Sequence, residues 1–273
     1  SSITIMCIKL EDFIAAELAN VKLAKNNLVL SFDDGYLDHY KYVLPVLKKF
    51  KISGIFFPVG KSLIEKKILD VNKIHFILNN VFDYDKLLTD VENYSFKFSK
   101  SNEFKNLSHY KEELFTNNRF DNTKISFIKK ILQFGLPCET RTKVINKLFS
   151  KYVTKDEINF SKELYLSLEH IKIMKNEGME IGFHGYNHNW LNKISKKEQR
   201  IDIVKSLNSL GSIVTKKDML IFCYPYGGYN AHTLDILKEN DFKAALTVKV
   251  GRVSNRTENL LELPRIDTND LPQ

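Results

Sequence analysis

Short apolar runs alternate with amphipathic stretches along most of the chain, in the order expected for an α/β fold. Residues 11–25 carry apolar side chains at helical spacing, residues 28–32 form an apolar run typical of a buried strand, and residues 40–50 are again helical in pattern. Pro45 marks either an irregularity within this second helix or a later helix start. A second apolar run covers residues 54–59. A strand, a helix and a strand in this order make a βαβ unit, so the sequence predicts a parallel sheet.

The segment from residue 62 to residue 165 differs in character from the rest of the chain. It is rich in Lys and Asn, and polar linkers separate stretches with helical spacing of apolar residues. Helices are predicted over residues 68–82, 124–134 and 140–152. We interpret 62–165 as a helical insertion in a single domain that spans 1–273, and not as a second catalytic unit.

The alternation of strands and helices resumes after the insertion. Predicted strands cover residues 180–183, 220–224, 244–248 and 261–266. Predicted helices cover residues 168–177, 196–214 and 231–240, with Ser195 as the N-cap of the second. Four predicted strands of the chain end in a polar or Gly-rich turn. Because parallel α/β folds carry their functional sites at the carboxyl ends of the strands, we expect these turns to converge on one face.

Three of these turns contain residue types that can carry chemistry. Asp33 and Asp34 follow the first strand, where one carboxylate could bind a cation and the other act as a base, although Asp-Asp-Gly is also good turn chemistry. His184 and His188 are spaced so that, on one helical turn, both rings could reach one metal ion, and two structural histidines could share that spacing. Tyr226 lies in a Tyr-Pro-Tyr-Gly-Gly turn that either presents backbone N–H groups to an oxyanion or simply ends a strand.

The order of these motifs resembles the polysaccharide deacetylase family with the NodB homology domain, carbohydrate esterase family 4. The resemblance rests on the amino-acid sequences of residues 30–36, 181–188 and 222–227. The apolar run at 54–60 and the Leu-Pro-Arg-Ile sequence at 263–266 support it. Each motif is short, but their joint order is specific.

The resemblance covers about residues 26–60 and 165–267 and leaves the insertion uncovered. It implies an irregular parallel (β/α) barrel of the NodB deacetylase type. It also implies hydrolytic removal of an N-acyl group, usually acetyl, from an amino sugar of a saccharide or glycan precursor.

The resemblance also implies a set of site residues. Asp34, His184 and His188 would hold a divalent metal, usually zinc, although cobalt, nickel or iron would accept similar ligands. Asp33 would be the general base, and the backbone N–H of Tyr226 would stabilise the oxyanion together with the metal.

Three features depart from the family pattern. Gly185 stands between the histidines where a Ser or Thr hydroxyl could brace the loop, and Cys223 stands where an arginine is usual. Arg265, near the predicted end of the last strand, is our candidate for the missing cation beside the base. The late Leu-x-x-His motif, which supplies the general acid, has no counterpart. His75 and His232 are candidates for that role, but both also fit structural roles.

These departures leave other hypotheses open. A metal- and carbohydrate-binding domain of the same fold that has lost turnover would also lack the arginine and the acid. A nucleic-acid-binding protein is suggested only by the net charge of +8. The lysines occur in dispersed pairs, such as Lys48-Lys49 and Lys66-Lys67, which favours a solvated surface, so no nucleic-acid partner is expected. The positive charge would equally suit an acidic glycan, a nucleotide sugar or a phospholipid-linked sugar.

The sequence also bears on location. No apolar run reaches about 18 residues, so no transmembrane segment is expected. The first residues do not have the pattern of a signal peptide, and three dispersed cysteines without a Cys-x-x-Cys pair suit a reducing compartment. A cytoplasmic location is therefore expected, although the missing initiator Met is compatible with removal of an upstream segment. The sugar, the acyl group and the oligomeric state stay open.

Overall fold

The computed structural model describes residues 5–23, 26–99, 107–114, 123–211, 213–214, 219–253 and 259–271. Within these residues, no helix is both long enough and apolar enough to cross a lipid bilayer. The chain divides into two compact units, one formed by Ser1–Lys66 with Lys162–Gln273 and the other by Lys67–Ser161. The second unit lies within the predicted insertion at 62–165, and the assignment of both units to a single domain stays a prediction.

The strands of the first unit are short and all parallel. They are β1 (Met6–Cys7), β2 (Asn27–Leu28), β3 (Ser31–Asp34), β4 (Ile55–Pro58), β5 (Glu180–Ile181), β6 (Ile221–Cys223), β7 (Ala244–Val250) and β8 (Leu263–Arg265). β1 pairs with β2, β4 lies between β3 and β5, and β7 lies between β6 and β8. A parallel bridge between Phe183 and Phe222 connects the β5 and β6 segments. The parallel α/β class and the irregular barrel predicted from the sequence are therefore confirmed.

The helices of the first unit follow the strands. They are α1 (Leu10–Leu18), α2 (Leu44–Phe50), α3 (Gly60–Glu65), α10 (Leu168–Asn176), α11 (Lys196–Ser209) and α12 (Ala231–Glu239). Ser195 caps α11 as predicted, because its hydroxyl accepts from the N–H of Glu198 while the Glu198 carboxylate accepts from the N–H of Ser195. A π-helical turn, His39–Val43, precedes α2, and Pro45 lies in the first turn of α2. Of the two interpretations of Pro45, the later helix start is therefore the correct one.

Side chains of successive strand residues point into two different cores. In β4, Ile55 and Phe57 join an inner cluster, whereas Phe56 joins the layer between strands and helices. β6 repeats the pattern, with Phe222 in the outer layer and its two neighbours in the inner cluster. Successive side chains of a strand point to opposite faces, so both faces of these strands are buried. This explains the continuous apolar runs in the sequence.

The first helix between residues 67 and 164 is α4 (Asp70–Asn80), and the last is α9 (Glu157–Leu164). Between them lie α5 (Tyr84–Phe98), α6 (Leu107–Leu114), α7 (Thr123–Lys130) and α8 (Cys138–Tyr152). Their buried side chains are mostly apolar and include the fully buried Ile77, Val91, Ile128 and Leu148 together with the nearly buried Phe127. The position at which the second unit ends falls within α9.

One buried ion pair stands out in the second unit. The Lys73 ammonium lies 2.7 Å from the Glu157 carboxylate, which also accepts from the N–H of Ile68 at 3.0 Å. Burial alone would raise the pKa of Glu157, but the hydrogen bond and charge of Lys73 hold it below its ordinary 4.5.

Several predicted boundaries are wrong. The predicted strand 28–32 is split into β2 and β3, and the predicted strand 261–266 begins only at Leu263, after a 3-10 turn, Leu260–Glu262. The predicted helix 11–25 ends at Leu18, and residues 24–25 lie outside the described residues. The predicted helix 196–214 ends at Ser209, and residue 212 lies outside them as well. Helices α3, α5, α6 and α9 were not predicted from the sequence.

Candidate active site

The predicted site residues lie at or just after the carboxyl ends of parallel strands. Asp33 and Asp34 end β3, His184 follows the bridge residue next to β5, Tyr226 follows β6, and Arg265 ends β8. Neighbouring parallel strands end at the same edge of a sheet, so these residues face a common region.

Three side chains form a compact set of metal-ligand atoms. Asp34 Oδ1 lies 3.5 Å from His184 Nε2 and 3.2 Å from His188 Nε2. Among the described residues, one ligand atom from each of the three lies within 4.8 Å of the others. The imidazoles are buried, and their ring centroids are 4.8 Å apart. Two nitrogens and one oxygen at this spacing suit a tetrahedral or octahedral transition-metal site with open positions.

The backbone around these ligands is not helical, which corrects the expectation of one helical turn between the histidines. Residues 184–188 form a bend in which Gly185 has a φ of +70° and His188 a φ of +58°. Asp34 is also left-handed, with a φ of +70°. Left-handed residues other than Gly are uncommon and concentrate at functional sites, so two of the three predicted ligands carry backbone strain.

The surroundings of the three side chains fit a metal. His184 Nδ1 lies 2.7 Å from the carbonyl oxygen of Cys223, which can only accept, so Nδ1 carries a proton and Nε2 is the ring nitrogen that faces the ligand set. The Tyr36 hydroxyl donates to Asp34 Oδ2 at 3.1 Å. Within the described part of the chain, Asp34 Oδ1 is buried and receives no well-directed hydrogen bond. A buried carboxylate oxygen that faces two imidazole nitrogens fits a cation between them.

The electrostatics favour an ionised Asp34. Burial alone would raise the pKa of Asp34, but the facing His184 and His188 rings lower it well below its ordinary 3.8. The carboxylate is therefore charged and available as a ligand at neutral pH.

Asp33 lies outside the ligand set and contacts a cation. Arg265 Nη1 donates to Asp33 Oδ1 at 2.9 Å, and Arg265 Nε donates to the carbonyl of Thr247 at 2.9 Å. Burial opposes ionisation of Asp33, but His184 and Arg265 together hold the pKa of its carboxyl below the ordinary value. The structure thus places Arg265 where the sequence hypothesis puts the missing cation.

Cys223 occupies the position at which the family pattern has an arginine. Its Sγ lies 3.5 Å from both oxygens of Asp33. Burial and the nearby Asp33 charge raise the pKa of the Cys223 thiol, so it stays protonated. Among the described residues, Asp33, His184 and Cys223 also form a close three-donor group. A protonated thiol and an occupied His184 Nδ1 make this group a poorer metal site than the first.

The turn after β6 packs against the histidines. Tyr226 adopts a left-handed conformation, with φ 55° and ψ 12°, within the 3-10 turn Pro225–Gly227. Its ring stacks on Trp190 at 4.7 Å between centroids and meets the His188 ring edge at 4.6 Å. The strained turn is therefore held beside His188 by an aromatic pair.

The sequence comparison decides the family. The family model described as "Polysaccharide deacetylase" matches residues 20–93 and 144–245, more than half of the chain. The chain belongs to the polysaccharide deacetylase family. It has no significant match among curated protein sequences.

Solved structures of the family share the fold. The deacetylase PplD of Streptococcus pyogenes, solved in complex with acetate, superposes with a TM-score of 0.56 at 18% identity, over 95% of this chain and 72% of PplD. The BpsB deacetylase domain of Bordetella bronchiseptica gives 0.54 at 13% identity, over 96% of this chain and 78% of its own. IcaB of Ammonifex degensii gives 0.54 at 16% identity, over 97% and 78% respectively. At these identities the similarity establishes the fold of the chain and nothing finer.

The two sequence candidates for a general acid are both surface residues of helices. His75 is an exposed residue of α4 in the second unit, and His232 is exposed in the first turn of α12. Conversely, sequence reasoning missed Tyr36 and Trp190. Tyr36 follows the Asp-Asp-Gly turn directly, and Trp190 is the single tryptophan of the chain, two positions after His188. Their proximity to the motifs was the available signal.

Proposed function

We propose that this chain is a metal-dependent hydrolase that removes an N-acyl group, acetyl in the first instance, from an amino sugar of a saccharide or glycan precursor. One observation carries the proposal. A three-donor set of Asp34, His184 and His188 lies next to a separate carboxylate, Asp33, which is paired with Arg265. This arrangement separates the binding of a metal from the handling of a proton.

Asp34, His184 and His188 would hold the metal, with zinc as the first choice. A bound divalent metal supplies a Lewis acid, which polarises a carbonyl oxygen and makes water a better nucleophile at neutral pH. The Asp34 charge and the proton on His184 Nδ1 both favour the liganding forms of these side chains. Three protein donors leave positions open for water and for the acyl oxygen.

Asp33 would act as the general base. Its ionised carboxylate would accept a proton from the water whose oxygen attacks the acyl carbon, and Arg265 would keep that carboxylate ionised and oriented. The C–N bond then breaks, and the leaving nitrogen takes up a proton to depart as an amine.

Tyr226 would contribute through its backbone. Its N–H belongs to a strained turn packed against the His188 ring, and an N–H fixed in this way can stabilise negative charge on the acyl oxygen without reorganising. The stacked Trp190 holds the turn in place.

The alternative of a binding domain without turnover loses part of its basis. It was suggested in part by Cys223 in place of the usual arginine, but the guanidinium of Arg265 contacts Asp33 directly. A base with its cation in place has no role in a domain that only binds sugar.

The test is acetate release from a panel of N-acetylated saccharides by the zinc-loaded protein. Asp33→Asn should abolish release and keep the metal, whereas His184→Ala should lose both. Metal binding without release from any substrate in the panel would favour the binding domain. Release that survives in both variants would contradict the proposed site.

A further inference from the structure

The loop that carries the two histidines is fixed from both sides. We call residues 184–188 the His loop. The carbonyl oxygens of Gly185 and Tyr186 accept from the N–H groups of Gly60 and Lys61, at 3.1 and 2.8 Å. On the other side, the N–H groups of Tyr186 and Asn187 donate to the two carboxylate oxygens of Asp202, at 2.8 and 2.9 Å. The loop path is thus set by contacts outside the loop.

Asp202 is unusual among these partners because it is a buried carboxylate. It lies on the inward face of α11 and is 1% exposed. It also faces the side-chain amide of Asn187 at 2.9 Å and that of Asn189 at 3.5 Å. Four N–H donors from one short segment converge on this group, and charge-assisted hydrogen bonds of this kind are stronger than neutral ones. Burial of a charge is otherwise unfavourable, so a carboxylate buried in this way points to the hydrogen bonds that it organises.

Gly185 and Asp202 fit together sterically. A Cβ at Gly185 would lie 2.7 Å from Asp202 Oδ2, closer than non-bonded atoms approach. The other neighbour, Pro225 Cγ, would lie at an ordinary 3.5 Å. Gly185 also has a φ of +70°, which disfavours a side chain. The carboxylate therefore occupies the space that a Ser or Thr at position 185 would need, and it supplies the bracing that such a hydroxyl would give.

We propose that Asp202 is the positioning residue of the metal centre. It holds Tyr186 and Asn187 in the path that brings His188 Nε2 within 3.2 Å of Asp34 Oδ1. The inference rests on the proposed function, because it assumes that His184 and His188 bind a metal. Asp202 itself touches neither the reacting atoms nor the metal; it acts through the His loop.

The experiment compares metal binding across five proteins: wild type, Asp202→Ala, Asp202→Asn, Gly185→Ala, and the double variant Gly185→Ala with Asp202→Ala. Each metal-free protein is first checked by circular dichroism. Zn²⁺ affinity is then measured by calorimetry, and the visible absorption of the Co²⁺-loaded protein reports the geometry of its ligands.

Glu180→Gln is the matched control. Glu180 is also a buried carboxylate, and it accepts from the N–H groups of Leu10 and Glu11 at 2.9 and 2.7 Å. It lies at the start of β5, away from the strand end that precedes His184. Its loss should affect the stability of the fold without altering the Co²⁺ spectrum.

We expect both Asp202 variants to bind Zn²⁺ about 10- to 100-fold more weakly and to show an altered Co²⁺ spectrum, as for other groups that orient metal ligands. Gly185→Ala should weaken binding in the wild-type background and much less in the Asp202→Ala background, because the clash is then gone.

Unchanged affinity and spectrum in both Asp202 variants would overturn the inference, while wild-type Zn²⁺ binding would leave the proposed function intact. Loss of fold in both variants with Glu180→Gln still folded would also overturn it, since Asp202 would then serve the core. Absence of Zn²⁺ binding by the wild type would contradict the proposed function itself.

Discussion

The guanidinium of Arg265 lies 2.9 Å from the carboxylate of Asp33, although 232 positions of sequence separate them. Arg265 is the last residue of β8 and Asp33 the last but one of β3, and the side chain of Arg265 is further oriented by the carbonyl of Thr247. The cation beside the proposed base therefore comes from β8, and the third motif places the Cys223 thiol beside the same carboxylate.

This pair gives a prediction for turnover. Arg265→Met should lower kcat by about 100-fold, because Asp33 loses the charge that keeps it ionised and oriented. Arg265→Lys should lower kcat less, since the positive charge stays but the planar guanidinium is gone. Zn²⁺ affinity should change little in either variant. Arg200→Met is the control, because Arg200 pairs with Glu239 at 2.5 Å in a half-exposed ion pair. Undiminished kcat in Arg265→Met would argue against this role.

Removal of the metal should lower stability. Zn²⁺ at about 100 times its Kd should raise the free energy of unfolding by about 2.7 kcal/mol over that of the metal-free protein. Asp34→Asn should abolish this increment, whereas Asp33→Asn should retain it. The measurement is urea unfolding with and without Zn²⁺ after chelation. Full stabilisation of Asp34→Asn by Zn²⁺ would exclude Asp34 as a ligand.

The turn after Asp34 makes a steric prediction. Gly35 has a φ of +72°, and a Cβ there would lie 2.9 Å from Pro58 Cα. Gly178 has a φ of +86° and no atom within 4 Å of such a Cβ, so Gly178→Ala isolates the backbone cost of about 1–2 kcal/mol. Gly35→Ala should cost about 1–3 kcal/mol more, because β3 and β4 must separate. If urea unfolding shows that both metal-free variants lose the same free energy of unfolding, Pro58 moves away from the new Cβ without cost.

The stability of the metal-free protein should depend on pH through Glu157. Its pKa is below 4.5 in the folded protein, so the unfolded chain binds more protons between the two values. The stabilisation is complete above pH 4.5 and is lost as pH falls through the folded pKa. Glu157→Gln should therefore flatten the decline in Tm below about pH 5. It should also cost about 3 kcal/mol at neutral pH, since Lys73 is left buried.

Glu180 should make stability depend on pH in the opposite direction from Glu157. Burial raises the pKa of Glu180 above 4.5, so its contribution is present below that pH and is lost as pH rises through the folded value. Glu180→Gln should change the pH slope in the reverse direction from Glu157→Gln. If thermal unfolding scans show that the two variants change the pH dependence of Tm in the same direction, the pKa directions given for Glu157 and Glu180 cannot both be correct.

The sequence predicts best what depends on local pattern. The positions of β4 and β6 follow from apolar runs, because both faces of these strands are buried, and the Ser195 cap follows from its own hydroxyl and Glu198. The predicted site residues lie at strand ends because the carboxyl ends of neighbouring parallel strands lie at the same edge of a sheet. The meeting of Arg265 with Asp33 could be suggested only because both positions were expected at strand ends.

What the sequence does not predict depends on distant contacts. The spacing of His184 and His188 fits a helical turn, but the loop path is set by Asp202, 16 positions after Tyr186. Asp202 reads as one polar residue among many in α11, whose apolar pattern does not mark a buried face. Its place beside Ile203 on the buried side of α11 was the one available signal, and recognising it requires knowing which face of the helix packs inward.

The separation between Asp33 and Arg265 has a consequence for the order in which the chain is made. Synthesis from the N-terminus delivers Asp34, then His184 and His188, and only after them Arg265. A nascent chain thus acquires all its proposed metal ligands before it acquires the cation that serves the base. Under the proposed function, metal capture would therefore precede competence for hydrolysis, which requires β8.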